Sequence, residues 1–178
     1  MSRTFVWDIF VRLFHWSLAG LFVANAFFTN PERYVHHYVG YAIAALLAAR
    51  LIWGFIGTPH ARFSDFLPSP RGLITQVKEM FSGSRRAHPG HSPLGALMIY
   101  NLLLTIAAIA LTGYMQTTVA YFGYDWVKEL HETLVTWAEI SVVVHVIAVV
   151  AESRRLRINL PKAMLDGYKD IPEHSSST

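Results

Sequence analysis

Residues Leu130–Val150 read LHETLVTWAEISVVVHVIAVV, and this stretch decides the fold. It is apolar enough and long enough to cross a bilayer as a helix. It carries two histidines, His131 and His145, fourteen residues apart. At about 100° per residue, fourteen steps come within roughly 40° of whole turns, so both imidazoles leave one helical face. At about 1.5 Å per residue they stand roughly 21 Å apart along the axis. One ring then lies near a membrane edge and the other inside the apolar layer. A single helix thus offers two imidazole sites at two depths.

The rest of the chain fits a bilayer. Of its 178 residues, 53% are hydrophobic and 15% charged, whereas a soluble domain carries about a quarter charged residues. Mean hydropathy is +0.32. The apolar residues fall in four blocks, at about 7–28, 36–56, 95–117 and 130–151. They predict an all-α fold, an integral membrane four-helix bundle in which 1–178 form one domain. The first block runs past the length of a signal-peptide core and has no small-residue cleavage site, so it is read as a retained anchor. Trp7 is read as its interfacial anchor, and Asn30-Pro31 ends it. The second block closes at Gly57-Thr58-Pro59. Residues 58–92 then form a polar connection rich in Pro, Gly and Ser. Within it Leu73, Ile74, Val77, Met80 and Phe81 recur at helical spacing behind Ser69-Pro70. That pattern predicts a short amphipathic helix on the membrane surface.

Four crossings put the N-terminus, the 58–92 connection and the C-terminal tail on one side. Twelve of the fifteen Lys and Arg residues, with Arg85 and Arg86 among them, lie there; Arg33 and Lys128 lie opposite, and Arg50 lies inside the second block. The positive-inside rule predicts that both termini and the amphipathic helix are cytoplasmic. No cysteine is present, which excludes disulfides, iron–sulfur clusters and covalent haem attachment through Cys-x-x-Cys-His. There is no internal repeat, phosphate-binding glycine loop or nucleic-acid motif. The basic balance is accounted for by topology and anionic lipid, so the bilayer, and no nucleic acid, is the expected partner.

Two further histidines acquire meaning from this topology. His15 is eight residues from the cytoplasmic start of its block and His145 six from the cytoplasmic end of its own, so they share a depth. His36 and His131 both stand at outer ends. Depth pairs His15 with His145 and His36 with His131. An ionisable side chain inside a bilayer is costly and needs a partner. Two axial imidazoles on a haem iron meet that need, and closing both axial positions favours electron transfer over oxygen binding. The plain alternative for each is a hydrogen-bonded core histidine. Four at matched depths, two of them on one face, favour two haem clamps.

Arg50 follows His36 by fourteen residues, and Arg12 precedes His15 by three, so each shares its histidine's face. Each is either a counter-charge to haem propionates or a side chain snorkelling to the headgroups. Gly20, Gly40 and Gly113 either admit a planar macrocycle or serve helix packing. His37 points about 100° away from His36. His60 is a candidate for lining a quinone pocket, His88 and His91 are read as solvated, and His174 belongs to the tail. Glu139 is either a protonated core residue or a proton-relay group.

Taken together, RLFHW (12–16), HHYVGYAIAALLAARLIWGF (36–55), GTPHARFSDF (57–66) and LHETL with a second histidine fourteen residues on resemble the bacterial cytochrome b561 family. This branch also contains the cytochrome b subunits of nickel–iron hydrogenases. The resemblance spans about residues 5–170. It implies an inner-membrane four-helix bundle with two non-covalent b haems, ligated by His15 and His145 (inner) and by His36 and His131 (outer). It implies electron exchange between the quinone pool and a partner: a periplasmic cytochrome, a redox enzyme such as a hydrogenase, or superoxide. GTPHARFSDF matches the family without an assigned role. The chain is shorter than typical hydrogenase subunits and lacks a large outer loop, which favours a stand-alone carrier over a hydrogenase anchor. Outside redox chemistry the alternative is a membrane metal carrier or assembly module. The scarcity of carboxylates near the histidines opposes it.

Overall fold

The computed structural model describes residues 2–82 and 90–171. Arg85, Arg86, His88 and His174 fall outside the described residues. In chain order the elements are β1 (Ser2–Phe5), α1 (Ile9–Phe27), α2 (Tyr34–Ile56), a 3-10 turn at Phe63–Phe66, α3 (Pro70–Phe81), α4 (Pro93–Gln116), α5 (Asp125–Leu156), α6 (Leu160–Asp166) and β2 (Tyr168–Ile171). Helices α1, α2, α4 and α5 are each long and apolar enough to cross a membrane. They coincide with the four blocks expected from hydropathy, because a lipid-embedded backbone must bond all its N–H and C=O groups within its own segment. The protein is a multi-pass membrane protein. Helix α5 spans 32 residues, more than its apolar run. Asp125 in its first turn and Arg154 and Arg155 in its last complement the helix dipole and carry it beyond the hydrocarbon. Helix α3 starts as its sequence predicts: Ser69 accepts a hydrogen bond from the Gly72 N–H, and proline opens the first turn.

The chain divides into two compact units, one of Met1–Arg12, Ile52–Ile99 and Val144–Thr178, the other of Leu13–Leu51 and Tyr100–Val143. In the first, β1 and β2 pair antiparallel from Ser2 opposite Ile171 to Phe5 opposite Tyr168. This brings two segments more than 160 residues apart in sequence side by side. A small core forms from Val6, Trp7, Val11, Ala61 and Ala163, with Trp53 and Met164 packed on it. Trp7 is only 8% exposed, so it belongs to this core and not to an interfacial belt as its position at a helix start suggested.

Asp8 joins three segments of that unit. Its Oδ1 accepts from the Val11 N–H (2.8 Å) and so caps α1. Its Oδ2 accepts from Trp53 Nε1 (3.0 Å) and from the Thr58 hydroxyl. Burial by itself would raise this carboxyl, but the bonds from Thr58, Val11, Trp53 and the Phe10 backbone outweigh it and hold the group below its ordinary value. The GTPHARFSDF stretch thereby has a structural role. Thr58 latches onto Asp8, Arg62 Nε donates to the Gly57 carbonyl (2.6 Å), and Ala61 is 2% exposed in the core. His60 adopts a left-handed backbone (φ 69°), its N–H donating to Asp65 Oδ2 (3.1 Å). His91, expected in solvent, has its ring between Trp7 (4.5 Å) and Phe66 (4.4 Å). Lys169 is buried and donates to the Gly90 carbonyl (3.3 Å), and burial pushes its amine down to about 8.

In the second unit, a polar bridge joins α4 and α5 across their apolar faces. Trp137 Nε1 donates to Asn101 Oδ1 (3.1 Å), and Asn101 Nδ2 donates to Ser141 Oγ (2.9 Å). Asn101 and the buried Ser141 thus satisfy one another, as apolar surroundings require.

Replacing Asp8 by alanine should cost about 2–3 kcal/mol, the range for hydrogen bonds to a charged group, read as a lower melting temperature of the detergent-solubilised protein. Because the folded value is lowered, the wild-type advantage is complete above the ordinary aspartate range. It fades as pH falls through the lowered value. An Asp8→Ala variant melting with the wild type at neutral pH would contradict this.

Candidate functional site

The second unit contains three of the four histidines singled out by depth: His15, His36 and His131. His36 lies in the first turn of α2 and His131 near the start of α5, so the α1–α2 and α4–α5 hairpins each present one ring. Both are half-buried. Each is anchored in the same way. His36 Nδ1 lies 3.0 Å from the Thr29 hydroxyl, and His131 Nδ1 lies 3.0 Å from the Thr112 hydroxyl. Neither threonine stood out in the sequence. Thr29 precedes His36 by seven residues and Thr112 precedes His131 by nineteen, so no fixed spacing marks the relation.

The glycines differ in what they face. At Gly113 an added Cβ would meet His131 Cε1 at 3.1 Å, so this glycine makes room for the imidazole itself. Gly40 lies one turn inward of His36 on nearly the same face, and nothing lies within 4 Å of where its Cβ would be. Gly20 is likewise open. Two imidazoles anchored alike on α2 and α5, each with one ring nitrogen on a threonine hydroxyl, are residues that would fit a haem iron.

His15 is half-buried on α1, edge-on to Trp16 at 5.1 Å. Arg50 in α2 is 4% exposed, and its charge is felt at Tyr100 of α4. In the first unit His145 is half-buried on α5, and Arg12 Nη1 donates to the Leu165 carbonyl of α6. The remaining polar residues separate from this group. His37 is edge-on to Tyr34 (6.5 Å) and borders an open cleft of about 400 Å³ with Tyr38, Tyr41, Gln116 and Phe122. Glu139 is half-buried in α5, and His60 belongs to the Thr58–Asp65 turn. Among the described residues no three His, Cys, Asp or Glu side chains gather into a site for a bare metal ion.

Residues 6–167 match the family model described as prokaryotic cytochrome b561. The chain belongs to that family. It is a membrane cytochrome b of electron transfer, a class whose prosthetic group is haem b. Among its relatives is a probable Ni/Fe-hydrogenase B-type cytochrome subunit of Cupriavidus necator, 25% identical over 97% of this chain and 89% of the relative. Proteins of the same description from Azotobacter vinelandii (24%) and Rhizobium leguminosarum bv. viciae (22%) each align with 94% of this chain and 89% of their own length. No solved structure matches it.

Because the Gly113 Cβ position abuts His131, a Gly113→Leu cytochrome should displace that ring from Thr112. It should purify with a lower haem-to-protein ratio than the wild type. An unchanged ratio would show that the ring tolerates a side chain there.

Proposed function

We propose that this cytochrome is a single dihaem domain of the inner membrane, with both termini cytoplasmic. It moves single electrons between the quinone pool and a partner on the periplasmic side. His36 and His131 are assigned to the outer haem, His15 and His145 to the inner. The observation that carries the reading is that His36 of α2 and His131 of α5, in one compact unit, are anchored alike, each with Nδ1 at 3.0 Å from a threonine hydroxyl. The inner pair rests on shared depth: fourteen residues separate His131 from His145 on one face of α5, and His15 lies at the corresponding depth on α1.

The haem supplies the one-electron chemistry, and the chain supplies ligands, orientation and local charge. Two imidazoles close both axial positions and favour outer-sphere transfer. Buried Arg50 is assigned as the counter-charge to haem propionates, together with those N–H groups of Arg12 not given to Leu165. Placing such a cation beside the carboxylates lowers the cost of both charges in an apolar layer. The charge asymmetry of the loops supports the cytoplasmic placement of the paired ends.

The names of the relatives favour a second reading, a membrane subunit passing electrons between quinone and a hydrogenase-like enzyme. Length bears on the choice. The alignment with the Cupriavidus protein covers 218 positions against 178 residues here, so that relative carries at least 40 positions this chain lacks (218 − 178 = 40). The missing length favours the stand-alone carrier, for which a quinol, a small periplasmic cytochrome or superoxide is the reaction partner. Copurification of stoichiometric haem-loaded protein with a hydrogenase large subunit would decide for the second reading.

His145→Ala should remove about one haem per chain and leave the outer haem in place, counted by pyridine haemochromogen assay. Two low-spin haems retained in that variant would remove His145 from the ligand set.

A further inference from the structure

We infer that Thr29 and Thr112 set the tautomers of His36 and His131, holding each proton on Nδ1 so that Nε2 is presented bare to the outer iron. The inference rests on the ligand assignment proposed above and goes beyond it by naming what prepares the ligands.

The argument is an inventory of hydrogens. A threonine hydroxyl has one hydrogen to donate and two lone pairs to accept with. Thr112 Oγ1 lies 2.8 Å from the Ala108 carbonyl and 3.1 Å from the Ile109 carbonyl, both of which only accept. Its hydrogen is therefore committed to the α4 backbone, in the back-bonding usual for threonine in a helix. His131 Nδ1, 3.0 Å from the same oxygen, can then bond only by donating. A neutral imidazole carries one N–H. With that proton on Nδ1, Nε2 carries the free lone pair, which is the form that ligates a metal.

The arrangement recurs at the other outer ligand. Thr29 Oγ1 lies 2.8 Å from the Asn25 main-chain carbonyl and 2.9 Å from Asn25 Oδ1. The main-chain carbonyl fixes the direction of the hydroxyl whichever way the Asn25 amide is turned. His36 Nδ1 lies 3.0 Å from the hydroxyl. In each hairpin, then, the leading arm contributes a threonine whose hydrogen is already spent, and the following helix contributes the histidine. Two unrelated stretches, 112 − 29 = 83 residues apart, reach one arrangement at the two residues assigned to one iron.

The consequences follow from how outer partners act on a metal-bound imidazole. An acceptor at Nδ1–H fixes ring orientation and raises ligand basicity, and its loss typically weakens metal binding about 10–100-fold. A more basic imidazole favours ferric iron. Removing either threonine hydroxyl should therefore raise the potential of the outer haem and leave the inner haem unmoved.

The test uses the full-length protein in detergent with Thr112→Val, Thr29→Val and the corresponding serine variants, followed by redox titration, low-temperature EPR and haem counting. The valine variants should shift the outer-haem potential upward, alter only its low-spin EPR signal and weaken retention of that haem by tenfold or more. The serine variants should restore all three. If His131→Ala loses the outer haem while both valine variants titrate and resonate as wild type, the tautomer assignment is wrong and the ligand assignment stands. If His131→Ala keeps the outer haem, the ligand assignment fails and takes this inference with it. Pulsed EPR of the wild-type ferric protein gives an answer independent of folding in the variants. An exchangeable, hydrogen-bonded proton on the remote nitrogen of both outer ligands is expected, and its absence would overturn the inference.

Discussion

The constraint on which this structure depends is the cost of holding imidazole nitrogens in a layer that offers no water. A histidine in a membrane helix must find partners for both ring nitrogens or be expelled from the segment. For His36 and His131 the chain provides one partner itself, a threonine hydroxyl at 3.0 Å from Nδ1. On the ligand assignment proposed above, the other nitrogen of each ring is the one that would meet haem iron. The helices are accordingly built as pairs, the leading arm of each hairpin supplying the polar atom that the following helix needs. The apolar sequence between these points does little beyond filling the bilayer and bonding its own backbone.

The surface elements answer a different need. Four membrane helices must still be tied to the polar segments that connect them and flank them. The chain meets this with a small polar and aromatic assembly. Asp8 caps α1 and binds Trp53 and Thr58, Trp7 and Phe66 enclose the His91 ring, and β1 pairs with β2. GTPHARFSDF is prominent in the sequence for this reason, as the strap that meets Asp8, and no redox role is needed to account for its residue types.

The parts legible in the sequence were those written in local pattern. Four apolar runs gave four helices, Ser69-Pro70 gave the start of α3, and the fourteen-residue interval on α5 placed two histidines on one face. What was hidden depends on partners distant in sequence. A four-residue strand such as Ser2–Phe5 has no periodicity to distinguish it, and its pairing with Tyr168–Ile171 joins opposite ends of the chain. Asp8 carries no local signal, because two of its partners lie 45 and 50 residues away. Trp7 and His91 were misread together, since each is buried partly by the other. Thr29 and Thr112 resemble the many threonines that bond back to their own helices, and only the position of the neighbouring ring separates them.

The measurement that bears most directly on the central claim is haem stoichiometry with spin state on the purified full-length cytochrome. A pyridine haemochromogen count should be paired with low-temperature EPR of the oxidised protein. Two haems per chain, both low-spin and present in equal amounts, are predicted by four imidazoles meeting in couples at two depths. One haem per chain, or a high-spin signal from an iron with an open axial position, would contradict it.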